Sequence, residues 1–180
     1  VTASEIGGGF GGKTTVYLEP LAVVLAKKSG RPVKMVMDRN DVFRATGPAP
    51  GAETRVKLGA SFDGRLVAAE VECLMDTGAY NGNPAGIPAY MATACYKITN
   101  ARSTGSAVYT NKPKIHAYRA PSMPQVTLAF ELVVNQLAAE LNIDPIEFRL
   151  KNAVDEGDVN MMGSTYNAVG LRECLEVARK

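Results

Sequence analysis

A cluster of five glycines within six positions near the start of the chain constrains this sequence more than any other feature. The cluster, residues 7–12, is interrupted only by Phe10 and is followed by Lys13. Glycine costs roughly 0.5–1 kcal/mol relative to alanine inside regular structure, so such a cluster indicates unusual dihedral angles or the close approach of a ligand. Residues 7–14 fit the phosphate-binding P-loop pattern, and residues 7–12 fit the dinucleotide fingerprint.

Composition excludes several classes of function. The chain has 180 residues, of which 46% are hydrophobic and 21% charged, as in ordinary soluble globular proteins of one domain or two small subdomains. A net charge of +2 is too small to indicate a nucleic-acid partner or a membrane surface. No apolar run approaches the roughly 20 residues that span a bilayer. Because the chain has no initiator Met, we expect it to be part of a longer protein.

Cysteine and histidine are too few for a zinc site. Cys73, Cys95 and Cys174 lack CxxC spacing, and His116 is the only histidine. A zinc site needs about four such ligands, so we expect buried free thiols and a reducing, cytoplasmic location. A hydrolase triad would have to use His116, and a lone histidine is more often structural.

Periodicity in the first half predicts one helix and a hairpin. Apolar residues recur at helical spacing after the glycines, with Pro20 either opening the helix or kinking it and Gly30 ending it. Alternation over residues 33–37 predicts a strand. Val56 to Ala60 and Val67 to Cys73 alternate around Asp63-Gly64, which is typical of an antiparallel hairpin.

The second half predicts further elements and completes an α+β fold. Turn residues between positions 76 and 86 break the strand pattern and lead to a short helix or coil, and residues 102–110 form another strand. An apolar stripe predicts a long helix over residues 124–141, and Asp144 with Glu147 predicts a capping box for the next one. A last helix starts near residue 171. We expect a mixed β-sheet with a central hairpin packed by helices, in two layers.

A second unusual loop precedes the long helix. Residues 117–125 contain two prolines and place Arg119 beside a helix N-terminus, where free N–H groups favour an anionic or oxo ligand. Arg119 could also be a surface cation or half of a structural ion pair. The P-loop interpretation needs a buried strand before the glycines, and residues 1–6 have only two strongly apolar side chains. Nucleotide binding is therefore the less favoured alternative.

Six motifs occur in order along the chain: residues 7–13, residues 32–34 with 38–40, and residues 76–80, 95–98, 117–125 and 144–152. In this order they resemble the molybdenum-cofactor-binding large subunit of the xanthine dehydrogenase and aldehyde oxidase family. The resemblance runs through the whole chain. It implies that residues 1–180 are a molybdopterin-binding domain fragment of a molybdenum hydroxylase subunit.

The resemblance also implies roles for particular residues. Gly9, Phe10, Gly11 and Arg119 would bind molybdopterin or its cytosine dinucleotide form, with the backbone amides of Phe10 and Arg119 facing the ligands of molybdenum. The implied reaction is the oxidation of an aldehyde or N-heterocycle with water as the oxygen source. Iron–sulfur clusters and FAD would lie on other domains or subunits, and the remainder of the large subunit would complete the site.

Departures from the family pattern bear on substrate and activity. The general-base glutamate of the family lies beyond residue 180, so no catalytic residue is assigned and the fragment alone is expected to be inactive. Thr14 stands at the substrate position where xanthine-oxidising members have an acidic residue, and Pro121 stands where an aromatic ring stacks on substrate. Ala120 replaces the cysteine that marks carbon monoxide dehydrogenases. An aldehyde or non-purine ring is therefore the better expectation.

Overall fold

The computed structural model describes residues 5–81 and 85–179. These residues contain three strands and six helices. In chain order they are α1 (Glu19–Ser29), α2 (Arg39–Ala45), β1 (Ala52–Ala60), β2 (Leu66–Gly78), α3 (Gly86–Met91), β3 (Asn100–Tyr109), α4 (Met123–Glu140), α5 (Pro145–Asn152) and α6 (Leu171–Ala178). The predictions for residues 1–4 and 82–84 lie outside the described residues.

The sheet is mixed, as predicted. Its strand order is β1-β2-β3, with β1 antiparallel to β2 and β2 parallel to β3. The turn that joins β1 to β2 contains Gly64, which has a φ of 85° and donates its N–H to Ser61 O at 2.8 Å. Glycine adopts such a φ without steric cost, which is why Asp63-Gly64 correctly predicted the hairpin.

The two faces of β2 differ in chemistry, and this difference produces two layers. One face buries Val71, Cys73 and Met75 among helical side chains. The other face carries cross-strand ion pairs at 3.1–3.3 Å between Lys57 and Glu70 and between Arg55 and Glu72. Successive side chains of a strand point to opposite faces, so a single set of helices covers the apolar side. The fold is α+β, as predicted, and the helices in contact with the sheet are α3 and α4.

Helix α4 supplies the other half of the core and packs on β1. Its buried residues are Val126, Phe130, Val134 and Ala138. The apolar stripe in the sequence predicts a face of Val126, Phe130, Val133, Leu137 and Leu141. The first two are buried and the last three only half-buried, so the buried face is rotated slightly from the stripe. Within the described residues no single helix is long and apolar enough to cross a membrane, although α4 and α5 would together meet that length and composition across a bend of 109°.

Helix α5 is fixed at its start and along its length. The Asp144 carboxylate accepts the N–H groups of Ile146 at 2.8 Å and Glu147 at 3.1 Å. Glu147 does not complete the predicted capping box, because its carboxylate pairs with Arg179 of the last turn of the chain. Arg149 donates to Glu131 of α4 at 2.6 and 3.1 Å, which joins the two helices.

We expect Asp144→Ala to lower the free energy of unfolding by about 1 kcal/mol, because two N–H groups at the helix start lose their acceptor. Urea unfolding of the chain monitored by circular dichroism would measure the change. Glu147→Ala is the matched control: it removes only an exposed ion pair and should cost about 0–1 kcal/mol. Equal losses for the two variants would contradict the assignment of the cap.

Two sequence predictions were wrong in detail, and one helix was missed. Residues 33–37 alternate between half-buried and exposed but belong to no strand of the described sheet. Residues Asp76 and Thr77, interpreted as turn residues, instead lie in β2, with Thr77 1% exposed. Helix α2 was not predicted, although its Asp38–Asp41 capping box is visible in the sequence.

The prediction of buried thiols holds for one cysteine of three. All three are free, but only Cys73 is buried, and burial raises the pKa of its thiol. Cys95 lies in the turn region that follows α3, and Cys174 lies on α6, a helix with no buried residue. Both are exposed because neither belongs to the layer between the sheet and α4.

Candidate functional site

The glycine cluster forms a tight turn that presents Phe10 at its tip. The Gly12 N–H donates to Gly9 O at 2.9 Å, and the two central residues, Phe10 and Gly11, have φ values of 49° and 90°. Positive φ at both central positions is the pattern of a type I′ turn, which phenylalanine adopts only at a cost. The Phe10 side chain is 64% exposed, so burial of its ring does not explain the conformation.

The turn is bonded directly to the second unusual loop. The Arg119 N–H donates to Phe10 O at 2.8 Å. Beside this bond the two backbones touch: a Cβ added to Gly11 would lie 2.7 Å from Ala117 O. Only glycine fits between the two loops, so the structure confirms close backbone approach as the reason for at least this glycine.

The second loop is also strained. Ala120 and Ser122 have φ values of 54° and 64°. Four non-glycine residues in the described ranges have a positive φ. Three of them, Phe10, Ala120 and Ser122, lie in these two loops, and the fourth is Asn142. Each such residue costs of order 1–3 kcal/mol, and strain of this kind gathers at ligand clamps and active sites. The loop leads into the first turn of α4, where N–H groups lack helical acceptors.

Unused hydrogen-bond donors gather where the two loops meet. Within the described part of the chain, no acceptor contacts the N–H of Phe10 or of Gly11. Arg119 is exposed, and its guanidinium has no ion pair or hydrogen bond to any described residue. Free N–H groups beside a free cation suit an anionic or oxo ligand. The Arg119 N–H is used by Phe10 O, so the free backbone donors at this junction are the Phe10 and Gly11 amides.

The remaining predicted site residues lie in the same two loops. Gly9 begins the turn, and the Thr14 hydroxyl donates to Gly11 O at 2.9 Å, which places Thr14 against the turn. Pro121 is exposed between the strained Ala120 and Ser122. Thr14 and Pro121 thus lie on the two loops that the bond between Arg119 and Phe10 joins. Each follows the bonded residue of its own loop within a few positions.

Sequence reasoning missed the contact beneath these loops. The Tyr17 hydroxyl lies 3.0 Å from Gly12 O and 2.9 Å from Thr46 O, and its ring meets the ring of His116 edge-on at 5.8 Å between centroids. Burial and then the charge of Lys114 lower the pKa of His116, which favours the neutral ring over the charged one. His116 is packed rather than free, in line with the structural role predicted for it.

The P-loop interpretation fails on the local structure. A P-loop runs directly into a helix at its Lys-Thr pair, whereas α1 begins at Glu19, after Thr14 and a stretch without regular structure. Residues 33–38, which could have supplied a metal-holding aspartate after a strand, form no strand. Lys13 is exposed and has no partner among the described residues. The nucleotide patterns result from the number of glycines.

No other described feature competes with this site. Residues 5–81 and 85–179 contain no group of three or more His, Cys, Asp or Glu side chains placed to hold a metal ion. A cavity of about 370 Å³ is lined by Leu66 and Val67 at the start of β2. The residues that line this cavity lie outside the glycine turn and the Arg119 loop.

Comparison with known proteins identifies the family of the domain that contains the paired loops. The family model of the molybdopterin cofactor-binding domain matches residues 1–153. The chain belongs to the molybdopterin cofactor-binding domain family. The matched range contains the glycine turn, the Arg119 loop and all of α4 and α5. The free donors described above therefore lie in a domain built to bind a pterin cofactor.

Two curated relatives show how much of a parent protein the chain represents. It is 36% identical over 189 residues to the xanthine dehydrogenase molybdenum-binding subunit of Escherichia coli O157:H7, covering 100% of this chain and 25% of the relative. It is 36% identical over 184 residues to the nicotinate dehydrogenase large molybdopterin subunit of Eubacterium barkeri, covering 100% of this chain and 43% of the relative. The chain spans less than half the length of each.

Solved structures agree with the fold. The aldehyde oxidoreductase of Desulfovibrio gigas superposes with a TM-score of 0.86 at 32% identity, over 97% of this chain and 20% of that structure. Quinoline 2-oxidoreductase of Pseudomonas putida 86 superposes with a TM-score of 0.86 at 29% identity, over 96% and 23%. These matches confirm the predicted fold class and the family resemblance.

Proposed function

We propose that this chain is part of a molybdenum hydroxylase, an oxidoreductase that oxidises an aldehyde or N-heterocycle with water as the oxygen source. Residues 1–180 would be a molybdopterin-binding domain fragment of its large subunit. The observation that carries the proposal is the Arg119 N–H to Phe10 O bond of 2.8 Å, which joins two strained loops and leaves the Phe10 and Gly11 amides free. Relatives named as xanthine dehydrogenase, nicotinate dehydrogenase and aldehyde oxidoreductase subunits support the reaction class.

The residues present fit the cofactor. Molybdopterin, or its cytosine dinucleotide form, carries anionic and oxo groups that need preorganised donors. Gly9, Phe10 and Gly11 would hold it through the backbone, with the Arg119 guanidinium supplying positive charge. Bound molybdenum would supply redox chemistry and activate water, and the electrons would leave through iron–sulfur clusters and FAD on other domains or subunits.

The substrate side of the site is argued from Thr14 and Pro121. Neither side chain offers a carboxylate, a guanidinium or an aromatic face, so neither favours a purine. The Thr14 hydroxyl is committed to Gly11 O at 2.9 Å, which leaves its methyl group as the part free to meet substrate. This chemistry suits an aldehyde or a non-purine heterocycle. Catalysis also needs a general base from the remainder of the subunit, so the fragment alone would be inactive.

The surface of α1 and α2 fits contact with that remainder. Neither helix has a buried residue. Apolar side chains lie exposed along both helices and the segment between them, with Val36 77% and Phe43 75% exposed. The others are Leu21, Val23, Val24 and Leu25. Many exposed apolar side chains on neighbouring elements in the chain suit a protein contact, and the rest of the large subunit is the partner we assign to these helices. The free thiols agree with the cytoplasm.

We expect Lys13→Ala to leave the molybdenum content of the full-length parent unchanged. Lys13 is exposed and contacts no described acceptor, and in this proposal the backbone holds the cofactor. Elemental analysis of purified wild-type and variant parent would show about one molybdenum per polypeptide in each. A P-loop lysine is indispensable to phosphate binding, so its replacement would instead abolish nucleotide-dependent thermal stabilisation.

Two results would contradict the proposed function. One is a wild-type parent without molybdenum that is stabilised against heat by ATP or GTP. The other is oxidation of benzaldehyde by the 180-residue chain alone, since this chain would lack the general base.

A further inference from the structure

The side chain of Tyr17 connects three segments that are separate in sequence. Its hydroxyl lies 3.0 Å from Gly12 O, at the end of the glycine turn, and 2.9 Å from Thr46 O, at the end of α2. One phenol proton is thus shared between two carbonyl oxygens. The backbone of Tyr17 is fixed as well, because its N–H donates to the Glu19 carboxylate at 2.8 Å.

The ring of Tyr17 reaches the second loop through His116. The two rings meet edge-on, at 75° and 5.8 Å between centroids. The His116 N–H donates to Pro48 O at 3.1 Å, and its ring covers Gly47 so closely that a Cβ there would lie 2.1 Å from His116 Cδ2. Ala117, the next residue, is the one whose carbonyl contacts Gly11.

These contacts close a circuit around the glycine turn. The turn is attached to the second loop directly, through Phe10 O and the Arg119 N–H, and indirectly, from Gly12 through Tyr17 and His116 to Ala117. A single hydrogen bond permits rotation about itself, whereas a second attachment at the other end of the turn removes that freedom. The circuit therefore fixes the direction of the free Phe10 and Gly11 N–H groups.

We propose that Tyr17 and His116 form a brace that positions the Phe10 and Gly11 amides for the cofactor. Both are positioning residues, acting through the turn and not by touching the ligand themselves. The role of the brace toward the cofactor rests on the proposed function. The contacts that form the brace do not depend on it. It assigns a functional reason to a tyrosine that lies just before α1.

The test is Tyr17→Phe in the full-length parent, since it removes the hydroxyl and keeps the ring against His116. Tyr109→Phe is the matched control, because Tyr109 is 64% exposed on β3 and its hydroxyl bonds to no described residue. Hydrogen exchange followed by mass spectrometry would report the Gly12 and Arg119 N–H groups, which the turn and the loop pairing protect. We expect exchange about tenfold faster in Tyr17→Phe, and unchanged in Tyr109→Phe.

A spectroscopic readout separates positioning from simple stability. We expect the molybdenum(V) electron paramagnetic resonance spectrum after partial reduction by dithionite to change in Tyr17→Phe at equal molybdenum content, because donors to the ligands of the metal have moved. Wild-type exchange together with a wild-type spectrum in Tyr17→Phe would overturn the brace. A wild-type parent without molybdenum would overturn the proposed function and the role of the brace in it, while the exchange rates would still report the brace itself.

A second variant covers the case in which Tyr17→Phe does not accumulate as folded protein. His116→Ala removes the ring contact and leaves the Tyr17 hydroxyl with both of its acceptors. We expect the same faster exchange of the Arg119 N–H in this variant, because the indirect attachment is cut at its other end. Unchanged exchange at Arg119 in His116→Ala would overturn the brace independently.

Discussion

Gly11→Ala in the full-length parent is expected to lose its molybdenum, with the content per polypeptide falling more than about tenfold. An alanine Cβ at this position would lie 2.7 Å from Ala117 O and 2.9 Å from Ala117 C, both backbone atoms that cannot rotate away. The φ of 90° is also strained for any L side chain. The two loops would have to separate, which breaks the bond from Arg119 N–H to Phe10 O and displaces the free amides.

Gly7→Ala is the matched control for this variant. A Cβ at Gly7 would meet no heavy atom within 4 Å, and its φ lies outside the positive range. The same added methyl group in the same glycine cluster should therefore leave the molybdenum content at the wild-type level. Elemental analysis measures both variants, and circular dichroism shows whether the fold survives. Full molybdenum content in folded Gly11→Ala would contradict the assignment of the cofactor to the paired loops.

The hairpin and the long helices were predictable because their signals are local. Asp63-Gly64 determines the turn at Gly64, and the apolar repeat of α4 predicts that helix and the approximate direction of its buried face. Residues 33–37 show the limit of such reasoning. They alternate in burial as a strand would, but a strand also needs a neighbour with free N–H and C=O groups, and alternation cannot reveal whether one is present.

The candidate site was only partly predictable for a related reason. The glycines and Arg119 were found as unusual residues, but their roles came from the family resemblance and not from spacing. The bond between Phe10 and Arg119 joins residues far apart in the chain, and so does the contact between Tyr17 and His116. Periodicity describes the pattern of residues along one helix or strand, so it cannot predict contacts between loops that are far apart in the chain.

Asn152→Leu is expected to lower the free energy of unfolding by about 3 kcal/mol or more, because backbone groups of three buried residues lose a side-chain partner at about 1–3 kcal/mol each. The Asn152 amide is 3% exposed and lies between α5 and the hairpin. Its oxygen accepts the Leu66 N–H at 2.8 Å, and its nitrogen donates to Gly64 O and Phe148 O, each at 2.8 Å. Leucine has a similar volume, so the loss is one of hydrogen bonding and not of packing. Urea unfolding of the chain would measure it.

Asn111→Leu separates the role of Asn152 from a general effect of replacing asparagine by leucine. Asn111 is exposed and its side chain bonds to no described residue, so the change should stay within about 0.5 kcal/mol of wild type. A loss of that same small size for Asn152→Leu would show that water reaches the hairpin turn and replaces the amide. A large loss would confirm that Asn152 links α5 to the start of β2, because its amide bonds to Gly64 and Leu66 there.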